Sequence, residues 1–162
     1  MLAQLEVPLA TVTDAFAAAR AAGCRTVLNP APAPDGGLPA ELLALCDVIV
    51  PNEHEVDVLG GVDRLLASGV GTVIVTRGAA GVSVSEQPGG SSWTVDAFDV
   101  DPIDTTGAGD SFCGALATQL AAGADLRNSV RYAAAAGALA TTVAGAVPSL
   151  PHAAAVHALA AA

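Results

Sequence analysis

Residues 104–112 read Asp-Thr-Thr-Gly-Ala-Gly-Asp-Ser-Phe, a string that joins a tight turn to a carboxylate. Glycines 107 and 109, on either side of Ala108, let the backbone turn into a helix. Successive N–H groups then point outward at the positive end of the helix dipole and form a cradle for an anion such as phosphate. Asp110 stands at the same helix start and reads two ways. As an N-terminal acid it complements the dipole, worth about 0.3 to 1 kcal/mol. As a general base it takes a proton from an alcohol while the amides of Gly107, Ala108, Gly109 and Asp110 neutralise charge on a transferred phosphoryl group. The chain contains no lysine, which excludes a P-loop ending in Gly-Lys-Ser/Thr. Any phosphate chemistry must use amides, arginine or metal.

A second glycine-bounded segment, Thr76-Arg77-Gly78-Ala79-Ala80-Gly81, follows the apolar run Thr72 to Thr76. Thr76 offers a hydroxyl, Arg77 a cation for a phosphate, and Gly78 and Gly81 close approach of the backbone; the alternative is that the two glycines only form a turn. Asn52-Glu53-His54-Glu55 opens a short helical segment, and on pattern alone its carboxylates decorate a first turn. No second histidine is spaced to make His54 a metal ligand, and His152 and His157 do not share a helical face.

These segments must be positioned by alternating strands and helices. Met1 to Glu6 is expected to end a strand, with a helix from Pro8 and Leu9 to Gly23 in which Leu9, Val12 and Phe16 recur at helical spacing. Strands are expected at Thr26 to Leu28, Val48 to Val50 and Thr72 to Thr76, with short helices around Ala40 to Leu45, Asn52 to Leu59 and Val62 to Ser68. The loop Asn29 to Gly37 holds three prolines and two glycines, which forbid regular structure. Val82 to Ser85 and Ser92 to Val95 would pair across a turn at residues 87–90. Three helices complete the chain: one from the glycine turn to near Gly123, one over Leu126 to Val143 and one over Pro151 to Ala160. Strand and helix alternation implies a parallel sheet with ligands beyond its carboxyl ends.

The chain has 162 residues, 52% hydrophobic and 14% charged, which suits one globular domain and excludes disordered or disulfide-stapled classes. Its formal net charge of −10 opposes binding to nucleic acid or an anionic membrane surface. Mean hydropathy is +0.55, yet the longest apolar stretch, Tyr132 to Val147, falls short of the roughly 18 to 20 residues a spanning helix requires. A buried helix is expected there. Cys24, Cys46 and Cys113 are odd in number and widely spaced, so neither a disulfide framework nor a zinc site is expected, and a cytoplasmic location fits.

Residues 104–112, followed by Cys113-Gly114-Ala115-Leu116, resemble the second signature of the ribokinase-like (phosphofructokinase-B type) carbohydrate kinases. Leu28 to Ala33, Pro51 to Glu55, Val73 to Val82 and Gly145 to Ser149 are similar to successive segments of bacterial ribokinases, so the resemblance covers nearly the whole chain. It implies an α/β, ribokinase-like three-layer sandwich with a mostly parallel central sheet, truncated at the N-terminus. Residues 1–162 would form a single nucleotide-binding and catalytic half, without the N-terminal half and lid. The implied activity is transfer of the ATP γ-phosphoryl group to a sugar hydroxyl, with ribose favoured; the alternative is a catalytically incomplete nucleotide-binding fragment.

The resemblance also implies roles by position. Asp110 is the base and a substrate contact. Asn52, Thr76 to Gly81, Gly109 and Ala134 bind ATP. Glu6, ending Gln-Leu-Glu, contacts the sugar through its hydroxyls. Glu55, with Asn52, organises magnesium, and Asp104, Thr106, Ala140, Val143, Gly145 and Ser149 hold potassium. Full-length relatives are expected to dimerise through the lid that is absent here. Between Leu59 and Gly69 only a short helix fits where the family has a longer crossover.

Overall fold

Val73, Ile74 and Val75 form an unbroken apolar run between threonines, the pattern of a strand covered on both faces, and each is at most 5% exposed. In the computed structural model, which describes residues 1–87 and 89–162, this run is β4 (Thr72–Thr76) of a six-stranded sheet. The strands lie in chain order: β1 (Leu2–Ala3), β2 (Val27–Leu28), β3 (Val48–Ile49), β4, β5 (Val82–Glu86) and β6 (Ser91–Val95). Neighbours among β1 to β4 pair in parallel.

Parallel neighbours require crossovers. They are α1 (Leu9–Ala21), α2 (Ala40–Ala44), and α3 (Glu53–Val58) with α4 (Val62–Ala67). The crossover between Leu59 and Gly69 contains only the short α4, as the sequence implies. The turn expected at residues 87–90 includes Pro88, which lies outside the described residues; on either side of it, Trp93 Nε1 donates to Glu86 Oε1 at 2.8 Å. Three helices follow, α5 (Ala108–Ala121), α6 (Leu126–Ala140) and α7 (Ala153–Ala161).

Contacts divide the chain into two compact units, Met1–Arg77 with Ser83–Thr94, and Gly78–Val82 with Val95–Ala162. The first has a core of Val12, Phe16, Leu28, Leu42, Ile49 and Leu65 from its helices and strands. The expected face of α1 is thus confirmed by its buried Val12 and Phe16. In the second unit Ala135, Ala136 and Val156 pack with Phe98, Tyr132 and Leu139.

One helix end departs from the sequence reading. The helix expected to reach Val143 stops at Ala140. The Thr141 and Thr142 hydroxyls donate to the Ala138 and Leu139 carbonyls, both at 2.7 Å, and their N–H groups donate to the same two carbonyls. Bonds reaching back three residues tighten the last turn and end the helix. No helix of the described residues is long and apolar enough to cross a membrane.

Candidate active site

Because β1 to β4 run parallel, the segments leaving their carboxyl ends share one edge of the first unit. Glu6 follows β1, exposed, its Oε2 accepting from Gln4 Nε2 at 3.1 Å. The chain after β2 is tied to it where Leu5 N–H donates to Ala31 O at 3.1 Å. After β3 comes Asn52, the N-cap of α3. Its Oδ1 accepts from Glu55 N–H, and Glu55 Oε2 accepts from Asn52 N–H, both at 2.8 Å. This reciprocal capping box fixes the Glu55 side chain, which is only 9% exposed. At the end of β4, Thr76 forms a parallel bridge with Asn52 and donates its N–H to Pro51 O at 3.0 Å. Asn52, Glu55 and Thr76 are therefore held together by backbone geometry. Arg77 comes next, with its Nε buried and without a hydrogen-bond partner among the described residues.

The second unit carries the glycine-rich string. Gly107 caps α5 in the left-handed region, with φ of 78°. A Cβ there would sit 3.3 Å from Ala146 Cα and 3.4 Å from Ala146 Cβ, so both backbone conformation and close approach require glycine. Gly109 differs. It is exposed in the first turn of α5, its φ is not positive, and nothing lies within 4 Å of the position a Cβ would take. The amides of Gly109 and Asp110 lie in the first turn, where no preceding turn accepts their hydrogens, whereas Ala108 N–H donates to Thr105 O at 3.2 Å. The Asp110 side chain is exposed at this end. Gly78 to Ala80 form a short 3₁₀ turn. Gly81 is buried with φ of 81°, and a Cβ on it would run into the Val95 carbonyl, so its glycine is a requirement of the fold.

Asp104 joins two loops 41 residues apart. Its Oδ2 accepts from Gly145 N–H at 2.8 Å, while Oδ1 accepts from Thr106 N–H at 2.9 Å and Thr106 Oγ1 at 2.7 Å. These donors, Gly145 N–H foremost, hold its carboxyl down at about 2. Ile103 and Asp104 N–H also donate to Thr141 O, at 2.7 and 3.1 Å. Ser149 is buried; its N–H donates to Gly145 O at 3.2 Å and its Oγ to Ala146 O at 2.8 Å. Ala140 is buried at the end of α6, Val143 is 44% exposed beyond it, and Ala134 is half-buried within it.

Asp104, Thr106, Gly107 and Gly145 are thus brought together in the second unit, and Asn52, Glu55 and Thr76 in the first. Sequence reasoning missed Ala146, whose small side chain admits Gly107, and Thr141, whose carbonyl anchors the start of the string. Only the small residues of Gly145-Ala146 hinted at a close approach. It also missed Ser111, 7% exposed, whose buried Oγ has no partner among the described residues.

Residues 2–153 match the family model described as pfkB family carbohydrate kinase. Among curated proteins, the chain is 38% identical to a ribokinase of Staphylococcus aureus over 164 residues, covering 93% of this chain and 53% of that protein. It is 41% identical to a ribokinase of Haemophilus influenzae, covering 93% of this chain and 52% of that protein. The chain spans about half the length of these curated relatives. Its fold is similar to a crystal structure of ribokinase from Thermotoga maritima, with TM-score 0.88 and 30% identity over 99% of this chain and 56% of that one. It is also similar to Arabidopsis thaliana ribokinase complexed with ribose and ATP, with TM-score 0.87 and 30% identity over 98% of this chain and 55% of that one.

Proposed function

The chain belongs to the pfkB family of carbohydrate kinases, and from that premise we propose that it is the nucleotide-binding and phosphoryl-transfer portion of an ATP-dependent ribose kinase. The observation that carries this reading is Gly109. A glycine that neither the backbone angles nor any neighbour requires leaves open space in front of first-turn amides, which suits a phosphate. Ribose as acceptor rests on the likeness to proteins named ribokinase, including the one complexed with ribose and ATP, and on Glu6, whose exposed carboxylate can accept bonds from sugar hydroxyls.

In this reading Asp110 takes the proton of the attacking hydroxyl while the Gly109 and Asp110 amides stabilise charge on the phosphoryl oxygens. Glu55 fits a hydrated magnesium ion, because the capping box fixes one oxygen and the carboxylate keeps acceptor sites for ion-bound water. When bound, magnesium neutralises charge on the ATP phosphates. A potassium site would draw on the Ala140 and Val143 carbonyls. Asp104 already accepts three hydrogen bonds, so it serves there chiefly as the clamp that sets the distance between the two loops. Location in the cytoplasm and, for the full-length relatives, a dimer formed through the lid belong to the same proposal.

A second reading is favoured by the chain's span of about half its relatives: a fragment that binds nucleotide and does not turn over. Calorimetry with ATP and a coupled assay with ribose, ATP and magnesium test both. We expect ATP binding that Gly109→Val abolishes in a folded variant, and little or no turnover by this chain alone. Measurable turnover rejects the second reading; unchanged affinity in Gly109→Val rejects the site.

A further inference from the structure

Of the eleven aspartates in the chain one, Asp35, is followed by glycine, and none of the three asparagines is. The pair lies in the loop that leaves the carboxyl end of β2. Gly37 N–H donates to Pro34 O at 2.9 Å, which closes a turn over Asp35 and Gly36. Both residues are exposed. Among the described residues the Asp35 carboxylate accepts no hydrogen bond and meets no cation, and the Gly36 N–H has no acceptor. Gly36 has no side chain to hinder an approach to its nitrogen, and nothing lies within 4 Å of the position a Cβ would take there or at Gly37. Elsewhere the carboxylates of Asp47, Asp104 and Asp125 are engaged by hydrogen bonds. Asp101 precedes Pro102, which has no N–H, and the exposed Asp99 precedes the branched Val100.

We propose that Asp35-Gly36 is a site of spontaneous backbone modification, at which the aspartate isomerises to isoaspartate through a succinimide. The Gly36 nitrogen attacks Asp35 Cγ, the new N–Cγ bond closes the ring, and one carboxyl oxygen leaves as water, carrying the amide hydrogen and one acid proton. Water then opens the ring. Addition at the main-chain carbonyl carbon of Asp35 breaks its bond to the Gly36 nitrogen and leaves the chain running through Cβ and Cγ, while addition at Cγ restores aspartate. Water is released and taken up again, nothing is oxidised or reduced, and the product has the mass of the starting chain. The backbone between Pro34 and Gly36 grows by one carbon, and the carboxylate moves onto Cα. The change falls beside Glu6, because Leu5 N–H ties the end of β1 to Ala31 O in the same loop. The site stands whether or not the chain is a kinase.

The test incubates the folded chain for days at neutral pH and digests it with trypsin, which releases residues 26–64 as one peptide because no lysine or further arginine interrupts them. A second form of that peptide, equal in mass and separable by chromatography, should accumulate. It should accept a methyl group from a protein-isoaspartate methyltransferase and resist an aspartate-specific endoprotease at residue 35. Gly36→Ala fits the turn, since the φ of Gly36 is not positive and its Cβ position is open, and it should slow the accumulation severalfold. Asp35→Glu, whose longer side chain disfavours ring closure, should abolish it, with circular dichroism showing that both variants fold. Absence of the isomer at Asp35, isomerisation at Asp99 at the same rate, or equal accumulation in Gly36→Ala overturns the proposal. An isomer that forms only after unfolding in urea also overturns it, since the folded turn would then protect the pair.

Discussion

Two glycines separated by one residue should respond oppositely to the same methyl group. Gly107→Ala places an L residue in the left-handed region, at φ of 78°, which costs about 1 to 2 kcal/mol. Its Cβ would also stand 3.3 Å from Ala146 Cα, a squeeze that adds about 1 kcal/mol. A total loss of about 2 to 3 kcal/mol follows, a large share of the 5 to 15 kcal/mol or so of an ordinary domain. Gly109→Ala meets nothing within 4 Å at an ordinary helical position, so it should gain about 0.5 to 1 kcal/mol. With a urea slope near 2 kcal/mol per molar, the two midpoints should lie roughly 1 to 2 M apart. The methyl at 109 also enters the space proposed for phosphate, so the stabilised variant should lose the rise in Tm that ATP gives the wild type. Urea titration by circular dichroism and melting with and without ATP measure both effects. A Gly109→Ala variant as unstable as Gly107→Ala, or one stabilised by ATP as well as the wild type, would refute the reasoning.

Other outcomes follow from single contacts. Asp104, with its carboxyl held at about 2 against an ordinary 3.8, contributes stability that is fully present above about 3.8 and is lost as pH falls through 2; the stability difference between wild type and Asp104→Asn should shrink over that window in pH-dependent urea melts. Asn52→Ala removes the capping box and should lower stability by about 1 kcal/mol, with Asn52→Asp restoring most of it in the same titration. Asp110→Asn should leave ATP affinity near that of the wild type by calorimetry, and lower any ribose phosphorylation by about 10² to 10⁴ in the coupled assay. Burial pushes the Cys46 thiol up to about 12, and its Sγ donates to Leu42 O, so a thiol reagent should label exposed Cys24 quickly and Cys46 only on unfolding.

The elements that local pattern specifies were legible. The run Val73 to Val75 between threonines gave a buried strand, the spacing of Val12 and Phe16 gave the inner face of α1, and the glycine turn gave the start of α5. What escaped was set by contacts distant in the chain. The resemblance places Asp104 and Gly145 at one site, but nothing near Asp104 announces that Gly145 N–H will donate to its carboxylate, and nothing near Gly107 announces Ala146. Three similar-looking glycines also have different causes that composition conceals. Gly81 and Gly107 are demanded by positive φ and a crowding backbone, while Gly109 is demanded by neither. The end of α6 was misplaced because an apolar run carries no stop signal. The stop came from two hydroxyls returning to carbonyls three residues back.

The capping box has a bearing on how such proteins tolerate change. The geometry that presents Glu55 is closed within four consecutive residues, Asn52 to Glu55, and its link outward is the bridge from Asn52 to Thr76. Neither depends on the length of the connection that follows Leu59. Insertions and deletions there alter a tether while the attachment points stay where they were. Leu59 and Leu65, both buried, still reach the core across the abbreviated stretch. Chain length in this region and the placement of the carboxylate are consequently separable, provided that the stretch still delivers Leu65 to the core.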